Sequence, residues 1–306
     1  MVRDLIIIGG GTAGLTAAIY AGRAAIPALV LAGTTPGGQI MTTNLVENYP
    51  GFPEGINGFD LAFAFQQQAQ RFGAEILQEA AAKVDFTVQP FEVHTRDEAY
   101  QARAVIIATG AFPRRLGIPG EREFFGRGVS TCATCDGFLF KDKVTVVVGG
   151  GDSAIDEGIF LTRFAREVIV VHRRDELRAS KQLQERAFSN PKMRFVWDTV
   201  ATEIVGDKVV TGVRVRNVKT DESEVIPADG AFIYVGLIPA TRMFQGHVAL
   251  DEAGYVIVDG HLQTSVPGVF AAGDVHNPEF RQCVIAAGSG ATAAMAANRY
   301  LSSHPK

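Results

Sequence analysis

Cysteine is scarce in this sequence: Cys132, Cys135 and Cys283 are the only three among 306 residues. An odd, sparse set is not the framework of a disulfide-stapled secreted domain. A structural zinc site is also poorly served, because tetrahedral zinc takes four ligands, often as two C-x-x-C pairs. Here there is one pair, in T-C-A-T-C-D-G from Thr131 to Gly137, and the six histidines add no second ligand pair at zinc spacing, so no metal is expected. An excess of positive charge is missing too. Lys and Arg number 29 against 33 Asp and Glu, a formal net charge of -4, whereas phosphate backbones are bound by clustered basic residues in excess. No low-complexity tract occurs and no apolar run reaches bilayer-spanning length. The opening Met1 to Gly9 breaks at glycine before a signal-peptide core can form. With 47% hydrophobic and 20% charged residues, the chain reads as a folded, soluble, cytoplasmic protein with no nucleic-acid or membrane partner and length enough for two domains.

What the sequence does contain is one pattern used twice. D-L-I-I-I-G-G-G-T-A-G, Asp4 to Gly14, aligns without a gap on V-T-V-V-V-G-G-G-D-S-A, Val144 to Ala154. Each is a β-branched strand running into G-x-G-x-x-G or G-x-G-x-x-A and then a helix-like segment. The first glycine (Gly9, Gly149) permits a tight turn, and the second (Gly11, Gly151) lets a pyrophosphate approach the backbone. The third position (Gly14, Ala154) must be small so that helix and strand pack closely. The match continues into a second strand, Ile26 to Leu31 aligning with Arg166 to Val171. Two mononucleotide-binding units are therefore expected, each aiming a helix N-terminus at phosphates.

The end of that second strand is where such units read the ribose. In the first copy it is the neutral Ala32-Gly33-Thr34; in the second it is His172-Arg173-Arg174, followed by Arg178. Guanidinium groups in place of an acid suit a 2′-phosphate, which predicts NADPH for the second unit. The first then needs another dinucleotide, and FAD is the natural one. The strand Ala104 to Ile107 ends at Ala108-Thr109-Gly110, and a later strand ends F-A-A-G-D, placing Asp274 where it could bond a ribityl hydroxyl. An Ala- and Gly-rich helix is expected over Ala286 to Leu301. Because FAD-type segments lie at both ends, the fold class is α/β with two nested Rossmann-like domains: 1-112 and 243-306 for FAD, with an inserted NADPH-binding domain at 113-242 that carries the cysteine pair. Local sequence leaves zinc, a redox disulfide and simple space-filling open for that pair, and the missing zinc ligands make redox chemistry the leading reading.

Taken together, G-G-Q (Gly37 to Gln39), V-E-N-Y-P-G (Val46 to Gly51), A-T-G, C-A-T-C-D-G, G-G-G-D-S-A, H-R-R-D-x-x-R, F-A-A-G-D and R-Q at 281 and 282 resemble, over essentially the whole chain and in order, the low-molecular-weight bacterial-type thioredoxin reductases. The resemblance implies a cytoplasmic homodimeric oxidoreductase that passes electrons from NADPH to FAD, to a Cys132-Cys135 disulfide and on to thioredoxin, with rotation of the NADPH domain between half-reactions. It implies Gly38, Gln39, Asn48, Asp274, Arg281 and Gln282 as FAD contacts, and Arg173, Arg174 and Arg178 as partners of the NADPH phosphate. By the same carry-over Cys135 faces the flavin, Cys132 attacks thioredoxin, Asp136 acts as proton donor, and Arg127 and Phe138 belong to the docking surface.

Thr12 stands where such proteins usually have proline, and Leu237 and Ala240 replace polar residues of a G-H-x-P-N-T stretch. Rival readings are a pyridine-nucleotide-independent relative, a ferredoxin-NADP reductase and a flavin-binding redox sensor. The first would lose the second glycine motif and its arginines, the second would lack the cysteine pair, and the third would not need C-x-x-C-D beside two intact dinucleotide motifs.

Overall fold

The computed structural model describes residues 2–43, 46, 48–280 and 282–305, apart from the side chains of Thr42 and Cys135. Strand β1 (Val2–Ile8) ends in Leu5, Ile6, Ile7 and Ile8, all buried, the two-sided apolar run of a central parallel strand. The chain turns through glycines into helix α1 (Thr12–Arg23) and returns as β2 (Ala28–Leu31), parallel to β1 with Leu5 opposite Ala28 and Ile8 opposite Leu31. Helix α2 (Gly58–Arg71) begins at Asn57, whose side chain accepts from Phe59 N at 2.9 Å. Its Leu61, Ala62, Phe65 and Ala69 form the buried stripe of an amphipathic helix. Strand β3 (Glu75–Leu77) extends the parallel set, and β4 (Lys83–Asp85) and β5 (Phe91–His94) add an antiparallel ladder to β6 (Ala99–Ile107), giving the order β3-β2-β1-β6-β5-β4.

After β7 (Ala111–Pro113) the same plan recurs. Strand β8 (Val129–Ser130) leads to the short helix α3 (Ala133–Asp136), then β9 (Val144–Val148), α4 (Asp152–Leu161), β10 (Glu167–Val171), α5 (Lys181–Phe188) and β11 (Met193–Val196). An antiparallel layer of β12 (Thr199–Gly206), β13 (Val210–Asn217) and β14 (Ser223–Pro227) follows, and β15 (Gly230–Ile233) closes a parallel sheet of order β11-β10-β9-β15-β8. The chain leaves through β16 (Leu237–Pro239); β17 (Val269–Ala271) joins the first sheet parallel to β6, and α6 (Cys283–Ser303) completes the fold.

Two compact units result, residues 1–112 with 238–306 and residues 113–237. The return crossing thus falls at Leu237 and Ile238, ahead of the 243 that the sequence suggests. The reason is local: Ala240 N donates to Gly110 O at 2.9 Å and Thr241 Oγ1 donates to Gly254 O at 2.7 Å, which ties these residues into the first unit.

Alternation along the strands splits each core in two. Leu5 and Ile7 face α1, α2 and α6, while Ile6 and Ile8 face Phe91 and Phe244. In the second unit Val146 and Val148 meet the β12-β13-β14 layer, and Val147 meets Ile155, Leu161 and Phe232. Each such side chain contributes about 1.5–3 kcal/mol of burial, which is why the β-branched runs define the layers. The Ala and Gly content of α6 serves close approach to α1: Ala13, Ala17 and Ala18 pack with Ala293, Ala294 and Ala297, and a methyl added at Gly290 would lie 2.1 Å from Ala13 O. Gly290→Ala is therefore expected to destabilise the protein by about 1–3 kcal/mol through overpacking. Thermal unfolding checks this, and an unchanged midpoint would refute the helix contact.

Candidate active site

The two glycine turns are built on one hydrogen-bond scheme. Gly9 N donates to Leu31 O at 2.9 Å and Leu15 N to Gly11 O at 2.9 Å; in the second unit Gly149 N donates to Val171 O at 3.1 Å and Ile155 N to Gly151 O at 3.1 Å. Gly9 and Gly149 adopt φ of 119° and 146°, open to glycine and costly to other residues. A Cβ at either would strike a neighbouring strand's backbone at 2.2 Å, Ala108 O in one case and Tyr234 O in the other. At the third motif position a Cβ on Gly14 would lie 1.9 Å from Gly9 O, whereas Ala154 carries its methyl buried.

In the first unit, Gly37 N donates to Gly10 O at 2.7 Å and brings Gly38 against Gly11, so this cradle is lined by backbone. Gly11 is the N-cap of α1 without a side-chain cap, and the first turn holds no acidic residue, which leaves N–H groups and the positive helix end for an anion. Gln39 donates through Nε2 to Ala111 O, and Asn48 Nδ2 donates to Gln282 Oε1 at 3.1 Å. Asp274 lies in a 3-10 turn after β17, and Gly273 N is held by Ser289 Oγ at 2.8 Å. Thr12 contacts Cys283 Sγ through Oγ1 at 3.3 Å. The motif residues of both chain ends thus converge around the starts of α1 and α6, an arrangement that fits a dinucleotide. Arg281 lies outside the described residues.

In the second unit the arginine segment is pinned to its glycine turn. Arg178 N donates to Gly150 O at 2.7 Å, Ala179 N to the same oxygen at 3.1 Å, and Asp152 Oδ1 accepts from Ser180 N at 2.7 Å. Arg173, Arg174 and Arg178 are exposed, and none has a carboxylate ion-pair partner among the described residues. A Cβ on Gly151 would sit 3.4 Å from Arg178 Nη2. His172 instead turns inward: its imidazole is buried, and desolvation, with Arg174, Arg173 and Arg178 nearby, lowers its pKa. This open, uncompensated cluster fits a phosphate monoester.

Cys132 immediately precedes α3 and Cys135 falls within it. Cys132 is disulfide-bonded and Cys283 is free, and the Cys135 side chain lies outside the described residues. Cys132 N donates to Ser130 Oγ at 3.0 Å, and Thr134 Oγ1 lies 3.2 Å from Cys132 Sγ. Asp136 precedes the 3-10 turn Gly137–Phe140 as its N-cap, yet its side chain makes no capping bond there. Phe138 and Arg127 are on the surface; Phe138 is 58% exposed, so it is not core.

Sequence reasoning missed two residues beneath this turn. Glu157 Oε2 accepts from Ala133 N at 2.7 Å, Thr134 N at 3.1 Å and Tyr234 Oη at 3.1 Å. Ala133 N is shared with Tyr234 Oη at 2.8 Å. Burial pushes the Glu157 carboxyl up against the lowering effect of these bonds, and burial followed by Glu157 pushes Tyr234 well up. A signal existed: Ala154, Ile155, Gly158 and Leu161 are the buried stripe of α4, and Glu157 falls on that stripe as its charged member. Tyr234 occupies in the second unit the strand-end place that Ala108 holds in the first.

Among the described residues no group of three or more His, Cys, Asp or Glu is placed to hold a metal, and no helix is long and apolar enough to cross a membrane. The family described as pyridine nucleotide-disulphide oxidoreductase matches residues 3–290. A thioredoxin reductase of Mycolicibacterium smegmatis is 52% identical over 98% of this chain and 97% of its own. One from Streptomyces coelicolor is 48% identical over 98% and 94%. The crystal structure of Lactococcus lactis thioredoxin reductase superposes with a TM-score of 0.89 at 42% identity, covering 98% of this chain and 99% of that one.

Burial, with a smaller contribution from Asp274, raises the Cys283 thiol above its ordinary value of 9.0, while the Thr12 hydroxyl opposes the shift. At pH 8 Cys283 should therefore alkylate with iodoacetamide roughly tenfold more slowly in the folded protein than in urea. Peptide mass spectrometry reads the rate, and equal rates would contradict the burial.

Proposed function

The chain belongs to the pyridine nucleotide-disulphide oxidoreductase family, among its thioredoxin reductases, and on that premise we propose that it reduces a thioredoxin disulfide at the expense of NADPH. The observation that carries this reading is the pairing of two features on the unit 113–237: a glycine turn flanked by three exposed arginines, and a disulfide at Cys132. Bound FAD would supply the two-electron relay between nicotinamide and disulfide.

The residues of the first unit would hold FAD. Gly9, Gly11, Gly14 and Gly38 keep side chains out of the pyrophosphate path, the start of α1 offers N–H donors, and Gln39, Asn48, Asp274, Arg281 and Gln282 supply polar contacts. In the second unit Gly149, Gly151 and Ala154 do the same for NADPH, whose 2′-phosphate is taken by Arg173, Arg174 and Arg178. Since the nicotinamide turn and the disulfide share one unit, each half-reaction presents a different face of it, and rotation at the two chain crossings near Phe112 and Leu237 provides this.

Cys135 is the partner of Cys132 and accepts electrons on reduction, leaving a dithiol. The Cys132 thiolate then attacks a thioredoxin sulfur, expelling the other thioredoxin sulfur as a thiolate that takes a proton from Asp136. Cys135 attacks the mixed disulfide, releasing reduced thioredoxin and restoring the Cys132–Cys135 bond. Arg127 and Phe138, exposed near this turn in sequence, form part of the docking surface, and the enzyme works as a homodimer.

Steady-state kinetics test the reading. Arg173→Ala/Arg174→Ala should raise KM for NADPH about 10- to 100-fold, from the loss of charge-assisted bonds, and leave NADH nearly unaffected; equal effects on both nucleotides would reject the phosphate role. Asp136→Asn should keep nucleotide binding and lower kcat with thioredoxin about 10- to 100-fold. Unchanged turnover would remove Asp136 from the proton path.

A further inference from the structure

The hydrogen bonds under the redox turn assign a role to a residue outside that mechanism. We propose that Glu157 sets the reducing power of the Cys132 disulfide by holding a carboxylate charge against the two peptide N–H groups that follow Cys132. The inference rests on the reading of Cys132 and Cys135 as the redox pair.

A thiolate at the start of a helical turn is ordinarily stabilised by the free N–H groups that follow it. In this turn those groups belong to Ala133 and Thr134, and both donate to one oxygen of Glu157. Tyr234 Oη closes the arrangement by bonding the same oxygen and sharing Ala133 N. The N–H groups are spent on a carboxylate, so a Cys132 thiolate finds them engaged and faces an additional negative charge. The Thr134 hydroxyl lies 3.2 Å from the sulfur, and because that sulfur is disulfide-bonded the proton between them is the hydroxyl's.

Destabilising the thiolate destabilises the reduced state, and a disulfide whose reduced form is destabilised has a more negative potential. The half-reaction is disulfide plus two electrons and two protons giving the dithiol, after which Cys132 releases one proton to become the attacking thiolate. Glu157 touches no substrate; it is a positioning residue that acts through the backbone of the turn. Other charged groups facing it are Asp156 on its own helix and Asp136 on α3, the latter acting on Tyr234. Both are acidic and reinforce the same direction.

The test uses the FAD-bound protein equilibrated with glutathione of varied thiol to disulfide ratio, where two glutathione thiols become one glutathione disulfide as the protein disulfide becomes a dithiol. Alkylation and peptide mass spectrometry then count Cys132 thiol separately from Cys283. Glu157→Gln should raise the dithiol to disulfide ratio about tenfold, equivalent to about 30 mV, and should move the alkylation midpoint of reduced Cys132 about one pH unit lower. Tyr234→Phe keeps the carboxylate on both N–H groups and should change the ratio less than about twofold. Thr134→Val removes the hydroxyl beside the sulfur and should shift the ratio the opposite way to Glu157→Gln. A ratio for Glu157→Gln matching wild type, or equal shifts in Glu157→Gln and Tyr234→Phe, would overturn the proposal while the redox pair stands. If Glu157→Gln does not fold with FAD, Glu157→Asp, which draws the carboxylate back from both N–H groups, takes its place and should raise the ratio; a ratio matching wild type would overturn the proposal. A wild-type protein that yields no Cys132 thiol at any glutathione ratio would overturn the reading and the proposal together.

Discussion

Everything functional in this protein depends on backbone meeting backbone where a strand turns into a helix. At the first turn no side chain fits between Gly14 and Gly9 O, and at both turns the opening glycine lies against the carbonyl of a neighbouring strand. That contact brings α1 and α4 to the ends of their sheets and aims helix N-termini into space kept free of side chains. Replacing such a glycine leaves the buried valines and isoleucines untouched, yet closes the space in which a pyrophosphate would lie. The apolar runs make the layers; the glycines make the layers usable.

Having made this construction twice, the chain varies it. Ala108 ends its strand in the first unit with a methyl group, and at the corresponding place in the second unit Tyr234 reaches Ala133 N with its hydroxyl. The second copy thereby supports a cysteine turn on the same sheet that carries the nicotinamide motif. The arginines follow the same logic: their backbone is fastened to Gly150 O, while their guanidinium groups stay exposed and unpaired with carboxylates among the described residues. Charge held in readiness near a rigid turn would select a phosphate.

Much of this was legible in the sequence because it is written in local spacing. The gapless alignment of Gly9 with Gly149 and of Leu31 with Val171 corresponds to matching hydrogen bonds. The family resemblance read from C-A-T-C-D-G and H-R-R-D-x-x-R agrees with the relatives found across nearly the whole chain. What was not legible depends on distant segments meeting. Glu157 and Tyr234 come from α4 and the end of β15, and only the folded sheet brings them under Ala133. His172 stands in one run with Arg173 and Arg174, yet its ring packs closely on Gly150 and is buried while the two arginines stay exposed, which the run itself does not tell. The bonds of Ala240 to Gly110 and of Thr241 to Gly254 likewise join residues far apart in sequence.

On the proposed function, electrons enter from NADPH and leave through Cys132. An anaerobic titration of the yellow protein tests it most directly, following flavin absorbance together with alkylation of Cys132. Rapid bleaching and new Cys132 thiol are expected with NADPH, both much slower with NADH. Bleaching by dithionite but by neither nucleotide would contradict it and point to a donor other than a pyridine nucleotide.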